Sequence, residues 1–194
     1  MRRPPRIQWG ALNPTNPSKA TKEKTMALTE VNVKDLDINP FTAIDDDWML
    51  ITAGDAARHN TMTASWGGLG ILWSQPVATC YIRQSRYTKE FVDANDLFTL
   101  SFYDPAKYRR ALGHLGRVSG RDEDKIAAVG FSPLAVDGTV TFEQARLTLV
   151  CRKLYSTFLA PEGFCDDGSI DAANYADKDY HTMYIGKIEH AYLA

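Results

Sequence analysis

Long apolar runs are missing from this 194-residue chain, and none approaches the roughly 20 residues needed to cross a bilayer as a helix. A membrane-spanning helix is therefore not expected. Cysteine is scarce: Cys80, Cys151 and Cys165 form no CxxC pair and no closely spaced set of metal ligands. That excludes a zinc ribbon and a disulfide framework. Cys80 and Cys151 lie in apolar stretches, where a buried free thiol is the usual occupant, so a reducing cytoplasm is the expected compartment. The GxGxxG turn of a dinucleotide-binding domain, the GK[ST] ending of a P-loop and the GxSxG elbow of a hydrolase are all lacking. His59, His114 and His190 show no metal-site spacing with His181 or with a cysteine.

Net charge is also small, −2, but its distribution is uneven. Residues 1–25 carry +5, leaving residues 26–194 with 16 basic against 23 acidic side chains, a net of −7. An acidic body of that kind does not suit general nucleic-acid binding. The basic segment contains Pro4, Pro5, Pro14 and Pro17, few apolar residues and no periodicity. It has no apolar core for a secretory signal, and its prolines would break the amphipathic helix of an organellar leader. A disordered tail, or a true start at Met26, is expected.

What is present is a chain of uneven strands with few helices. Phe41 to Asp47 predicts a short helical approach, and Trp48–Ala53 a first strand ended by Gly54-Asp55. From Asn60 to Trp66 the residues alternate, with Thr61, Thr63 and Ser65 on one face and Met62, Ala64 and Trp66 on the other. A strand shared between a polar site and a core has that pattern. Gly67-Gly68-Leu69-Gly70 reads as a bend at a barrel corner, after which Ile71 to Trp73 resumes. Val77–Ile82 is a nearly continuous apolar strand, Tyr87–Asn95 a helix, Leu97–Phe102 a strand and Ala106–Leu115 a helix. Asp122–Val129 predicts a further helix closed by Gly130. Ala145–Arg152 alternates as a long strand, Pro161–Lys178 is an irregular excursion, and Tyr180–Leu193 is a terminal strand. With no regular βαβ alternation, the expectation is a β-barrel with peripheral helices, mainly β in an α+β sense.

Arg83-Gln84-Ser85-Arg86-Tyr87-Thr88 is the most informative stretch. It leaves a strand and opens a helix, with Ser85 placed as the N-cap. Helix starts carry unpaired N–H groups and partial positive charge, so cations are normally favoured at the opposite end. Arg83 and Arg86 at this end make sense with an anion between them, and Ser85 and Thr88 add neutral donors. A serine cap alone needs no ligand. Ser119-Gly120-Arg121-Asp122 suggests a capping box, which explains most of that stretch, although Arg121 and Lys125 could reach a ligand. His181 by itself reads as a structural histidine.

These motifs, taken in order, resemble the flavin-reductase-like FMN-binding split-barrel proteins, and among them the flavoredoxin-like branch. The likeness covers most of the chain from about Asp37 to the end, with the Pro161–Lys178 excursion outside it. It rests on Asn60–Trp66, Pro76 with the apolar strand after it, Arg83-x-Ser85-Arg86-x-Thr88, Ser119-Gly120-Arg121-Asp122 and Asp179-x-His181. It implies a homodimer of split barrels with one FMN per subunit near the interface. It further implies that Asn60, Thr61, Met62, Thr63, Ser65 and Trp66 line the flavin ring and ribityl chain. Arg83, Ser85, Arg86 and Thr88 would hold the phosphate, while Ser119, Gly120, Arg121 and Lys125 close over the cofactor. His181 would stand beside the ring as the candidate catalytic residue. The implied activity is electron transfer from NAD(P)H to flavin or another acceptor. The alternative is an FMN electron carrier reduced by a redox protein partner. With no Rossmann domain, any NAD(P)H would have to stack transiently on the flavin.

Overall fold

The structure, a computed structural model, describes residues 28–194. The expectations for residues 1–25 lie outside this range. The chain runs through β1 (Thr29–Val31), a π-helical turn at Thr42–Asp46, β2 (Met49–Gly54), β3 (His59–Ala64), β4 (Gly67–Leu72) and β5 (Gln75–Arg83). It continues with α1 (Tyr87–Ala94), β6 (Leu97–Phe102), α2 (Pro105–Arg117), α3 (Lys125–Ala128), β7 (Pro133–Val136) and β8 (Thr139–Phe142). The last elements are β9 (Leu147–Phe158), α4 (Ser169–Asn174) and β10 (His181–Leu193).

Seven strands form one antiparallel sheet in the order β3-β2-β6-β9-β10-β5-β4, with β1 on the far end of β10. The two outermost strands, β3 and β4, are consecutive in sequence and separated by Ser65 and Trp66 alone. Consecutive Cα atoms are 3.80 Å apart, so so short a link forces the two ends of the sheet together. The sheet curls into a barrel whose seam runs between β3 and β4 and is crossed by covalent chain, since neither strand pairs with the other.

Period-2 alternation builds the interior. Met49, Ile51 and Ala53 of β2 enter the barrel core with Met62, Ala78, Cys80, Phe98, Leu100, Leu149 and Cys151. Leu50, on the opposite face of the same strand, joins an outer layer with Tyr103, Leu112, Leu115, Phe131 and Phe142. β2 is therefore buried on both faces, which is why it reads as one apolar run. α2 begins with Asp104, whose side chain accepts from Ala106 N–H, and Pro105 in the first turn. Its inward face presents Leu112 and Leu115 at i, i+3, and each buried leucine contributes about 1.5–3 kcal/mol.

Several sequence expectations change. Trp48 has φ 69° and precedes the strand, which begins at Met49 and is the second of the chain, after β1 at Thr29–Val31. Gly67–Leu72 is a strand rather than a corner, paired along β5 from Gly67↔Cys80 to Leu72↔Gln75. Trp73 leaves the strand to form a two-residue turn with Ser74. Asp122–Val129 contracts to the single turn of α3, capped by Asp124 through Ala127 N–H. The Ser119 side chain instead accepts from Arg121 N–H in a local turn, so the capping box does not form. Gly130 closes α3 with φ 69°, as expected. The excursion at 161–178 contains α4, and the β7–β8 hairpin was not anticipated.

Candidate functional site

Antiparallel register places the first residue of β10 against the last of β5, so His181 lies opposite Arg83. This corner meets the seam, and the linker residues Ser65 and Trp66 complete a cavity of about 170 Å³ there. Met62, Thr63, Ser65, Trp66, Arg83, Arg86 and His181, all singled out from the sequence, line it together with Ala64 and Tyr81. A second hollow of about 470 Å³ shares Ser65, Trp66 and Tyr81 and continues past Gly67 and Gly68 to Phe41 and Ile44. Trp66, 43% exposed, lines both.

His181 is buried, with Nδ1 2.9 Å from the Tyr175 hydroxyl and its ring 5.0 Å from that of Trp66. Burial, and next the positive charge of Arg83, push its pKa down to about 4, against a weaker opposing pull from Asp179. The imidazole is accordingly neutral near pH 7. Arg83 is turned toward the 174–179 segment, donating to Asn174 O at 2.8 Å and Asp179 O at 3.0 Å and lying over the Tyr175 ring. Arg86 donates to Gly116 O at 2.8 Å, which ties the start of α1 to the end of α2. Burial first, and then the neighbouring Arg83, lower the Arg86 pKa.

Ser85 is not the cap of α1. The N-cap is Arg86, whose side chain makes no capping bond, and α1 begins at Tyr87. The Ser85 hydroxyl and N–H instead donate to the two carboxylate oxygens of Asp179. Thr88 is buried and accepts from Asn60 Nδ2 at 2.8 Å, linking β3 to α1. The Thr61 hydroxyl points away from the cavity, 2.8 Å from Thr52 Oγ1, and Thr63 Oγ1 donates to Leu112 O.

The 119–125 stretch divides. Gly120 abuts Asn60 and borders a separate hollow of about 410 Å³ with Arg58, Tyr87 and Phe91. Arg121 lies over the Tyr87 ring and pairs with Glu90. Lys125 is buried, and its ammonium donates to Leu115 O and Val118 O, satisfying the C-terminal carbonyls of α2. Desolvation, followed by the charge of Arg86, lowers its pKa to about 8. The structure gives Lys125 a helix-closing position rather than a place on the 170 Å³ cavity.

Two neighbours of the site were missed. Tyr81 had a legible signal, because it stands two residues before Arg83 on the same strand face. Tyr175 had none, because it reaches His181 from the excursion. No group of three or more His, Cys, Asp or Glu side chains suited to a metal occurs among the described residues.

Comparison with known proteins adds to this geometry. The flavin reductase like domain family matches residues 44–194. No curated protein matches the chain. Among solved structures, an FMN-binding domain of a flavin reductases-like enzyme from Shewanella baltica superposes with TM-score 0.61 at 16% identity, covering 86% of this chain and 77% of that one. A flavoredoxin from Methanosarcina acetivorans gives 0.58 at 21%, covering 76% and 68%. A flavin reductase candidate with a split barrel domain from Shewanella frigidimarina gives 0.59 at 17%, covering 80% and 72%. At these identities the likeness establishes the fold, a split barrel with a few peripheral helices.

Proposed function

The chain belongs to the flavin reductase like domain family, and from that membership we propose that it is an FMN-binding oxidoreductase passing electrons from NAD(P)H to flavin or another acceptor. The observation that carries this reading is the cavity at the barrel seam, where the cationic start of α1 meets Trp66 and His181. The residues present fit the cofactor. Arg83, Ser85 and Arg86 supply charged and neutral donors suited to a phosphate, and the absence of a side chain at Gly120 lets the loop pack onto Asn60, which donates to Thr88 in the first turn of the same helix. The ring would lie along Thr63–Trp66 beside His181. When bound, FMN supplies hydride and electron chemistry, while the protein supplies position and electrostatics. His181, neutral and held by Tyr175, offers a hydrogen-bonding ring nitrogen without charge. Buried Cys80 and Cys151 as free thiols fit a reducing cytoplasm. Among the described residues, no helix is long and apolar enough to cross a membrane.

A homodimer is part of the same proposal. Its support is the exposed apolar set Leu154, Tyr155 and Phe158 on the outer half of β9. A second reading, an FMN electron carrier reduced by a redox protein partner, is favoured by exposed Trp66 at the site and by the likeness to a flavoredoxin. Anaerobic stopped-flow mixing separates the two. Rapid bleaching of flavin bands by NADH or NADPH supports the enzyme, and bleaching by a reduced iron–sulfur protein alone supports the carrier. Cofactor identity is tested through Arg83. A charge-assisted hydrogen bond contributes about 1.5–3 kcal/mol, so Arg83→Ala should weaken FMN roughly 10- to 150-fold. Riboflavin, lacking the phosphate, should change little, and equal losses for both ligands would count against the phosphate assignment.

A further inference from the structure

The donors assigned above to a flavin phosphate already hold an anion from the chain itself. Ser85 N–H lies 3.1 Å from Asp179 Oδ1, and the Ser85 hydroxyl donates to Asp179 Oδ2. A backbone N–H and a hydroxyl gripping two oxygens of one anion at a helix start is the arrangement a phosphate would take. The rest of the segment is fastened to the same motif. Arg83 donates to the carbonyls of Asn174 and Asp179 and pairs with Asp177 at 3.4 Å. Tyr175 reaches His181. Further contacts lie within the segment itself. Asp166 holds Ser169 and Ile170, and Asp171 holds Lys178 and the Tyr180 hydroxyl.

We propose that Asp179 is a stand-in for the flavin phosphate, and that FMN binds by displacing this carboxylate from Ser85 and releasing the 174–179 segment from Arg83. The proposal rests on the FMN reading of the site. Asp179 thereby acts as a specificity-determining residue. Its carboxylate competes with the phosphate of FMN and leaves riboflavin, which needs neither Ser85 nor Arg83, unaffected. Placing a phosphate beside Asp179 without displacement would juxtapose two anions within a hydrogen-bond length, an arrangement the site avoids by exchanging one for the other.

Fluorescence titration of the full chain with FMN and with riboflavin tests this. Asp179→Asn keeps the shape and removes the charge, and Asp179→Ala guards against a residual amide contact. Both variants are expected to bind FMN at least tenfold more tightly than the unaltered protein, with riboflavin unchanged within twofold. Hydrogen–deuterium exchange supplies a second readout that needs no variant. FMN should raise exchange across residues 169–180, and riboflavin should not. Unchanged or weaker FMN binding in both variants, or a fall in exchange across 169–180 on adding FMN, overturns the competition. If Arg83→Ala still loses FMN selectively in that case, the phosphate site stands and only the role of Asp179 falls. FMN and riboflavin binding equally to every variant, Arg83→Ala included, overturns both.

Discussion

A methyl group added to Gly120 would overlap Asn60 Oδ1, because the loop after α2 presses its backbone directly onto that amide. Asn60 is buried and spends its Nδ2 on Thr88, so it has nowhere to retreat without breaking the link between β3 and α1. Gly120→Ala should therefore cost about 1–3 kcal/mol, the penalty for a disrupted buried hydrogen bond, seen in urea unfolding. It should also weaken FMN more than a surface Gly113→Ala control, since a Cβ at Gly113 meets nothing within 4 Å. His181 sets a pH dependence of its own. Its folded pKa is about 4 against an ordinary histidine value of 6.5, so between those values the unfolded chain binds the proton first. Stability then falls as pH drops through that window, by on the order of 2 kcal/mol after allowing for screening at the cavity mouth. Urea midpoints at pH 7, 5.5 and 4 should decline less steeply for His181→Gln, and parallel declines would assign the loss to other groups. At this scale the sequence was informative where chemistry is local. Two arginines at the wrong end of a helix marked the α1 start without any tertiary knowledge. The carboxylate on Ser85 stands 94 positions away, and Lys125 closes a helix 10 residues back, contacts that no local pattern encodes.

Among the elements, the β4–β5 hairpin breaks the local rule for its turn. Trp73 and Ser74 have φ 50° and 59°, both left-handed, in a two-residue turn that normally takes Asn-Gly. Left-handed backbone costs an ordinary residue roughly 1–2 kcal/mol, part of which a glycine would recover. Replacing the pair by Asn-Gly should raise stability by about 1 kcal/mol in urea titration and leave flavin affinity unchanged. No gain would show that the exposed Trp73 ring contributes as much as its backbone costs. The misfit explains why Trp73 reads as strand, since a tryptophan gives no turn signal. The β7–β8 hairpin is the converse. Asp137-Gly138, with φ 43° and 80°, is a strong turn signal that joins two strands of four residues each. Those strands were overlooked because each is short and offers little alternation. Longer elements were legible in proportion to their burial. β2, β5 and β6 have a face in the barrel core, whereas the Asp122–Val129 pattern lost its first turn because Asp124, not Ser119, caps the helix.

At the scale of the whole molecule, the barrel covers its own interior but not the far end of β9. From Arg152 to Phe158 no residue of that strand is buried. Tyr155 and Phe158 take opposite faces, and Leu154 stands unpaired at a bulge beside them, with exposures of 49%, 48% and 39%. A strand bearing large apolar side chains on both exposed faces has passed the edge of its own domain and suits a partner surface. Its location is informative. Phe158 pairs with Thr182, the residue after His181, and Thr182 pairs with Ile82, the residue before Arg83, so the apolar projection lies one strand from His181 and two from Arg83. A second copy seated there would lie beside the cavity proposed for flavin, giving the proposed homodimer a functional reason. A stable dimer needs about 800 Å² from each partner, to which three such side chains make a central contribution. Tyr155→Glu combined with Phe158→Glu should therefore shift the protein from dimer to monomer in sedimentation velocity at micromolar concentration. The double variant should keep its thermal unfolding cooperative, since neither side chain is in the core. FMN affinity should fall with dissociation and recover as protein concentration rises. A variant that remains dimeric would place the interface elsewhere, and a monomer with undiminished FMN affinity would show that each barrel completes its site alone.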